Sequence, residues 1–384
     1  MTVIYLDYNA TTPVDPGVLR AMLPYLCEDF GNPSSAHRLG DRARDAVEAA
    51  RTEVAALIGA TPDEITFTGG GTEASNMAIR GAAKTDGTRR DVVTSAIEHP
   101  ATEACCEFLQ RAKHKVTRVG VEADGVIDPD RVAAAIDGKP ALVTIIHAQN
   151  EIGTLQPIGE IAAAARRSGA LVHVDAAQSV GKIPLDVREL GADLLSIAGH
   201  KLYAPKGVGV LYVRRGVDLA PLLLGGGQER RRRPGTENVP YIVGLGEACR
   251  IAGAMLDQEG QRLAILAGEL LAALKREIPG LVLVGHPTRR LPNTLNVLLP
   301  NASGRKVLQK STAVMAATGS ACHADSDEPS AILTALGIPR AQALGAVRLS
   351  LGRGTTRAEV TAAASSLAEA WRAVSAAPAV ARAI

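Results

Sequence analysis

Lys201 closes the run Ser196-Ile197-Ala198-Gly199-His200-Lys201, and Asp175 closes Leu171-Val172-His173-Val174-Asp175. Both follow short apolar stretches of the kind that make buried strands. A lysine held at a strand end can form a Schiff base with a carbonyl cofactor. A carboxylate facing a pyridine nitrogen keeps that ring protonated as an electron sink. Alone, Asp175 reads as a cap and Lys201 as a surface charge. Together they point to pyridoxal 5′-phosphate (PLP). Gly69-Gly70-Gly71-Thr72 precedes a helix expected over 73–82. Glycines there let the backbone approach an anion, and the helix start offers N–H groups to a phosphate; plain strand-to-helix geometry explains the same turn equally well. Cys322 sits in Thr318-Gly319-Ser320-Ala321-Cys322-His323-Ala324-Asp325, small polar surroundings that suggest an exposed loop. A reactive thiolate needs positive charge or a base nearby, and His323 is the candidate. Cys27, Cys105, Cys106 and Cys249 lie in helical contexts and are expected to be small buried hydrophobes.

The elements that must hold these residues alternate between two periods. A helix is expected over 41–58, with Val47, Ala50, Val54, Leu57 and Ile58 on one face and Gly59 ending it. Apolar runs recur at 65–67, 92–95, 116–119, 142–146, 171–174, 194–197 and 208–213. Helical or loop segments separate most of them, which predicts an α/β fold with a mostly parallel, doubly wound sheet. Ligands of such sheets bind beyond the carboxyl ends of the strands. The residues found there are Gly69 to Thr72, Glu98-His99, Gln149-Asn150, Asp175 to Gln178 and Gly199 to Lys201, nearly all polar or glycine. After Gly244 a long Ala/Leu-rich helix is expected over 245–278, then shorter strands at 281–284 and 294–299 and a terminal helix, reading as a smaller α+β domain.

The chain has 384 residues, of which 46% are hydrophobic, 21% charged and 3% aromatic, with a net charge of +2. That length suits a large domain plus a smaller one. Near-neutral charge does not call for a polyanionic partner. The run Arg230 to Arg233 lacks the interleaved aromatic residues of a nucleic-acid surface and reads instead as a solvated or anion-contacting loop at a subunit boundary. Neither nucleic acid nor membrane is expected as a partner, since no apolar run reaches spanning length. Five cysteines without ordered spacing and an N-terminus lacking signal-peptide character point to the cytoplasm. His114, His147 and His286 show no metal-ligand spacing and are taken as structural, with no metal expected.

These motifs, in order, resemble the NifS/IscS-type cysteine desulfurases, PLP enzymes of the aspartate-aminotransferase (type I) fold. The resemblance runs nearly end to end, from Tyr5-Leu6-Asp7-Tyr8-Asn9-Ala10-Thr11-Thr12-Pro13 and Gly31-Asn32-Pro33-Ser34-Ser35-Ala36-His37 through Phe67 to Glu73, Asn150-Glu151-Ile152-Gly153, Val172 to Gln178 and Gly199 to Lys201. Gly225 to Glu229, Pro234 to Asn238, Gly319 to Cys322 and Arg348 to Arg353 complete it. It implies a seven-stranded large PLP domain over 15–257, with 1–14 and 258–384 forming the small domain that carries the cysteine loop. It further implies that Lys201 is the Schiff-base lysine, Asp175 the partner of the pyridine nitrogen, Gln178 the donor to the phenolic oxygen, and His99 the ring that stacks and moves protons. Gly71, Thr72 and His200 would hold the phosphate, joined by Thr236 from a neighbouring subunit of a homodimer. Asn150 and Arg348 would grip the carboxylate of L-cysteine. Lys201 would take the Cα proton, and Cys322 would accept sulfur as a persulfide, carried by a long swinging loop to a sulfur-acceptor protein, either an iron–sulfur scaffold or a thiolation partner.

Three positions depart from the family pattern. Ala198 stands where a phosphate-binding Ser is usual, Gln149 replaces the first Asn of Asn-Asn-Glu with little effect expected, and His323 follows the nucleophile where Ser or Thr is commoner. Two alternatives compete with the desulfurase reading. One is a selenocysteine lyase or other type I PLP lyase that does not use Cys322. The other is a non-catalytic scaffold, which the joint presence of Lys201, Asp175, His99 and Cys322 opposes.

Overall fold

A computed structural model describes residues 3–85, 91–136, 140–319 and 328–376. The segment carrying Cys322 and His323 lies outside the described residues. Within them twelve strands form: β1 (Ile4–Tyr5), β2 (Ile65–Thr68), β3 (Val92–Ser95), β4 (Val116–Val119), β5 (Leu142–Ile146), β6 (Leu171–Asp175), β7 (Leu194–Ala198), β8 (Gly209–Val213), β9 (Val282–Val284), β10 (Thr294–Leu298), β11 (Val314–Met315) and β12 (Ala346–Ser350).

All seven apolar runs become strands of one sheet, ordered β2-β8-β7-β6-β5-β3-β4. Its pairings are parallel except around β8, which runs antiparallel to both β2 and β7. Successive side chains of a strand point to opposite faces, and the core divides accordingly. Val143, Ile145, Val172, Val174, Leu195 and Ile197 join one apolar cluster, while Val92, Leu142, Leu194, Leu211 and Val213 join another across the sheet. Because β2, β3, β5, β6 and β7 are mutually parallel, their carboxyl ends share one edge with the start of β8. The sheet therefore brings the loops after five strands, drawn from residues 69 to 201, to one place.

The helix Arg38–Leu57 buries Val47, Ala50 and Val54, and Gly59 turns away from it at φ +69°, a left-handed conformation that glycine takes without steric cost. Gly71–Thr85 begins two residues earlier than expected, so Gly71 and Thr72 belong to its first turn. The long helix Val239–Glu277 is a single element. Its first half packs Ile242, Leu245 and Ala248 into the core under the large sheet, and its second half packs Leu266, Leu270 and Leu274 against Val297 and Leu349. The expectation of no spanning-length apolar segment needs correcting here: by length and composition this helix could cross a bilayer. The charged Glu247, Arg250 and Asp257 interrupt it, and its apolar residues serve the two protein cores instead.

Strands β9, β10 and β12 make an antiparallel sheet, and β1 pairs with β11. This puts Arg348 in the middle of β12. Cys105, Cys106 and Cys249 are buried as expected, but Cys27 is exposed. It is the last residue of the helix Pro16–Cys27, whose buried residues are Val18 and Met22.

The arginine run occupies a strained turn. Glu229, Arg230 and Arg231 have φ of +46°, +56° and +66°, three successive left-handed side-chain-bearing residues, each costing on the order of 1 kcal/mol. Arg51 holds them by a buried fork, Nη1 and Nη2 each 2.9 Å from a Glu229 oxygen, and Phe67 N donates to Glu229 at 2.8 Å. Arg230 and Arg231 face solvent, while Arg233 pairs with Glu73 at 2.9 Å.

Candidate active site

The carboxyl edge of the large sheet opens into a cavity of about 780 Å³. Gly71, Thr72, His99, Asn150, Asp175, Gln178, His200, Lys201 and Arg348 all line it. Thr236 does not; it is exposed on the surface of the single chain.

Each wall is fixed locally. His99 caps the helix Pro100–Arg111, and its Nδ1 accepts from Ala101 N at 3.1 Å, which fixes the ring's orientation. Burial lowers its pKa, helped by Lys201 and opposed by Asp175, so the neutral ring is favoured at neutral pH. Asp175 is 5% exposed and accepts from Ala177 N at 3.0 Å; it both shapes its own turn and faces the cavity. Behind it His173 bridges Thr144 and Ser196, each at 2.8 Å, and Ser196 meets the cavity-lining Ser75 at 3.2 Å. Burial drives His173 to a pKa of about 4, so this internal chain carries no charge at pH 7. His200 binds Thr11 through Nδ1 at 3.1 Å. Burial and the nearby cations, Lys201 first, lower its pKa to about 4, leaving a neutral ring.

Arg348 reaches the site from the small sheet. Its Nη2 donates to Asp7 at 2.6 Å and Nη1 to the Asn150 carbonyl at 3.2 Å, while the buried Nε has no partner. Gln149 closes the turn that holds Asn150: its Oε1 accepts from Glu151 N and Ile152 N at 2.6 and 3.0 Å.

Sequence reasoning gave no role to Asn9, Lys182, Lys206 or Glu98. Asn9 and Lys206 line the cavity. Lys182 follows Gln178 by four residues, a spacing that puts two side chains on one side of a helical turn and was the available signal. Glu98, next to His99, borders a neighbouring cavity of about 330 Å³ that shares Asn150 with the first. Its Oε1 accepts from Ser95 Oγ at 2.5 Å and Ile146 N at 3.0 Å, and Oε2 has no partner. Burial, with Asp175 contributing, pushes its pKa to about 8.

A raised carboxyl pKa makes the folded protein hold a proton that the unfolded chain releases. Glu98 therefore costs stability progressively as pH rises from about 4.5 to about 8. Glu98→Gln, permanently neutral, should match the wild type near pH 4.5 and exceed it at pH 8 by roughly 1–4 kcal/mol. Chemical denaturation at both pH values reads this out; an equal difference at the two would refute a protonated Glu98.

Among the described residues no cluster of three or more His, Cys, Asp or Glu is placed to hold a metal. His147 bonds Ser179 at 3.0 Å, and His286 accepts the N–H groups of Thr288 and Arg289.

Comparison with known proteins gives a consistent picture. The class-V aminotransferase family matches residues 4–362. A cysteine desulfurase of Nostoc sp. is 46% identical over 362 residues, covering 94% of this chain and 90% of that protein. A solved NifS-like protein superposes with a TM-score of 0.91 at 35% identity, covering 97% of this chain and all of the other. SspA, solved in complex with cysteine, gives 0.80 at 37% identity, covering 90% of this chain and 98% of its own.

Proposed function

The chain belongs to the class-V aminotransferase family and is a cysteine desulfurase, and on that premise we propose that it holds PLP on Lys201 and leaves the sulfur of L-cysteine as a persulfide on Cys322. The observation that carries the cofactor assignment is that Lys201, Asp175, His99, Thr72 and Gln178 line one cavity.

The residues present fit the group. A Cβ added to Gly71 would meet the Ala198 Cβ at 3.0 Å, tighter than ordinary van der Waals contact, so glycine lets the first turn of Gly71–Thr85 pack closely on β7. That turn offers N–H groups and a dipole to the phosphate, beside the hydroxyl of Thr72 and the neutral His200. Asp175 supplies a carboxylate for the pyridine nitrogen, and the oriented, neutral His99 a flat face for the ring. When bound, PLP withdraws electrons from the bonds around Cα of the amino acid attached to it.

The chain's own groups do the rest. Arg348, tied down by Asp7, directs its planar fork at the substrate carboxylate, with Asn150 alongside. Lys201, which lines the same cavity, would move the proton at Cα. The Cys322 thiolate attacks the substrate sulfur: the Cβ–S bond breaks, an S–S bond forms, and Cβ gains a proton, so L-cysteine and a thiol become L-alanine and a persulfide. In a single turnover, purified protein supplied with PLP and L-cysteine should form alanine and persulfide sulfur in equal amounts. Absence of alanine would reject the assignment.

Ala198 bears on cofactor retention. A hydrogen bond to a charged group contributes roughly 1.5–3 kcal/mol, so Ala198→Ser should lose PLP more slowly than the wild type in dialysis against cofactor-free buffer. Equal loss rates would dismiss a phosphate role for this position.

We further propose a homodimer in which Thr236 reaches the phosphate of the neighbouring subunit. The exposure of Thr236 supports this, as does Leu224, 88% exposed a few residues earlier. The division into 15–257 and the remainder as two domains rests on the two cores that meet along Val239–Glu277. We propose that the persulfide is passed, in the cytoplasm, to a sulfur-acceptor protein, either an iron–sulfur scaffold or a thiolation partner; the persulfide chemistry calls for an acceptor of some kind.

A further inference from the structure

Gln178 is 2% exposed, and its side-chain amide is held at both ends. Nε2 donates to the Asn9 carbonyl at 2.9 Å, and Oε1 accepts from Lys182 Nζ at 2.7 Å. A backbone carbonyl only accepts, so the flip state of the amide follows from its partners. Lys182 Nζ also donates to Asn9 Oδ1 at 3.0 Å. Asn9 is 1% exposed and in turn receives Asn293 Nδ2 at 3.2 Å and gives its own Nδ2 to Thr294 at 2.8 Å and to the Asn150 carbonyl at 3.2 Å. The lysine thus closes a network that runs from the loop after β6, through Asn9 in the cavity wall, to the start of β10.

We propose that Lys182 is a positioning residue: it locks the Gln178 amide with its oxygen occupied, so that the one N–H left over is the group the amide offers to the cavity. This rests on the reading that PLP binds there, where that N–H would meet the ring oxygen. Burial, with Lys201 and Arg348 as neighbouring cations, lowers the pKa of Lys182 well below the usual lysine value. Charged or neutral, the amine keeps at least two N–H donors, enough for both oxygens it serves. Tyr8, Lys201, Tyr203, Glu259 and Arg353 share a small cavity with it and are the other titratable groups facing it.

The test is a pH titration of the visible absorption band of the PLP-loaded protein. A donor to the ring oxygen favours the charged form of that oxygen, so releasing it should raise the apparent pKa of the band. Lys182→Met should raise it by about one unit, with circular dichroism unchanged. In a Gln178→Leu background the same substitution should add no further shift, because the effect runs through the amide. Lys182→Gln, too short to span both oxygens, is the second variant should the methionine not fold, and should shift the band the same way. An unmoved band in the variants overturns the proposal. So does an equal shift in both backgrounds, which would mean that Lys182 acts by charge alone. A wild-type protein that shows no band after reconstitution removes the PLP reading and this proposal with it.

Discussion

Lys201→Ala should lower alanine formation from L-cysteine by at least about 10²–10⁴-fold, the range a positioned proton-transfer group supplies, and should abolish covalent retention of PLP. The residue closes the Gly199–Lys201 turn directly after β7. It lines the same cavity as Asp175 and Thr72, so its removal takes away a Schiff-base partner and a base together. Folding should survive, because Lys201 lies in the cavity wall and outside the apolar clusters. Turnover and visible absorbance should therefore fail while the melting temperature without cofactor holds. Retained turnover would assign the chemistry to another amine, and Lys206 and Lys182 are the ones at hand.

Cys322→Ser should leave the cofactor band intact while alanine formation falls by at least about 10²-fold, with no persulfide detectable. A hydroxyl at its ordinary pKa is a poor nucleophile toward sulfur, and nothing else in the proposed scheme takes the sulfur. The two variants separate the roles: one removes cofactor and turnover, the other turnover alone. Turnover persisting in Cys322→Ser would favour the lyase route, in which the cysteine is a bystander.

The seven strands were legible because short apolar runs bounded by polar or glycine residues leave little alternative to buried strands. Their parallel order followed from the helices between them. The direction of β8 was not legible: Gly209-Val210-Leu211-Tyr212-Val213 has the same apolar composition as the parallel strands, and its reversal shows only in the pairing with β2 and β7. The cavity wall was read from residues just beyond strand ends, where topology forces side chains together. What stayed hidden depends on contacts across long stretches of chain. Asp7 meets Arg348 across 341 residues and Asn9 meets Lys182 across 173, and no local pattern announces either. The protonation of Glu98 is a property of its enclosure, since the same Glu-His pair at a surface would be an ordinary carboxylate. Cys27 was misjudged because a helical setting does not say which face of the helix is covered. Cys322 rests on its loop composition and the family resemblance.

The most direct test of the account is to find which lysine carries the cofactor. The PLP-loaded protein is reduced with borohydride, digested, and the peptide bearing the phosphopyridoxyl group identified by mass spectrometry. The label should sit on Lys201, in the peptide containing Gly199-His200-Lys201, and be absent from Lys201→Ala. A label on Lys206 or Lys182, or none on the reduced wild-type protein, would contradict it.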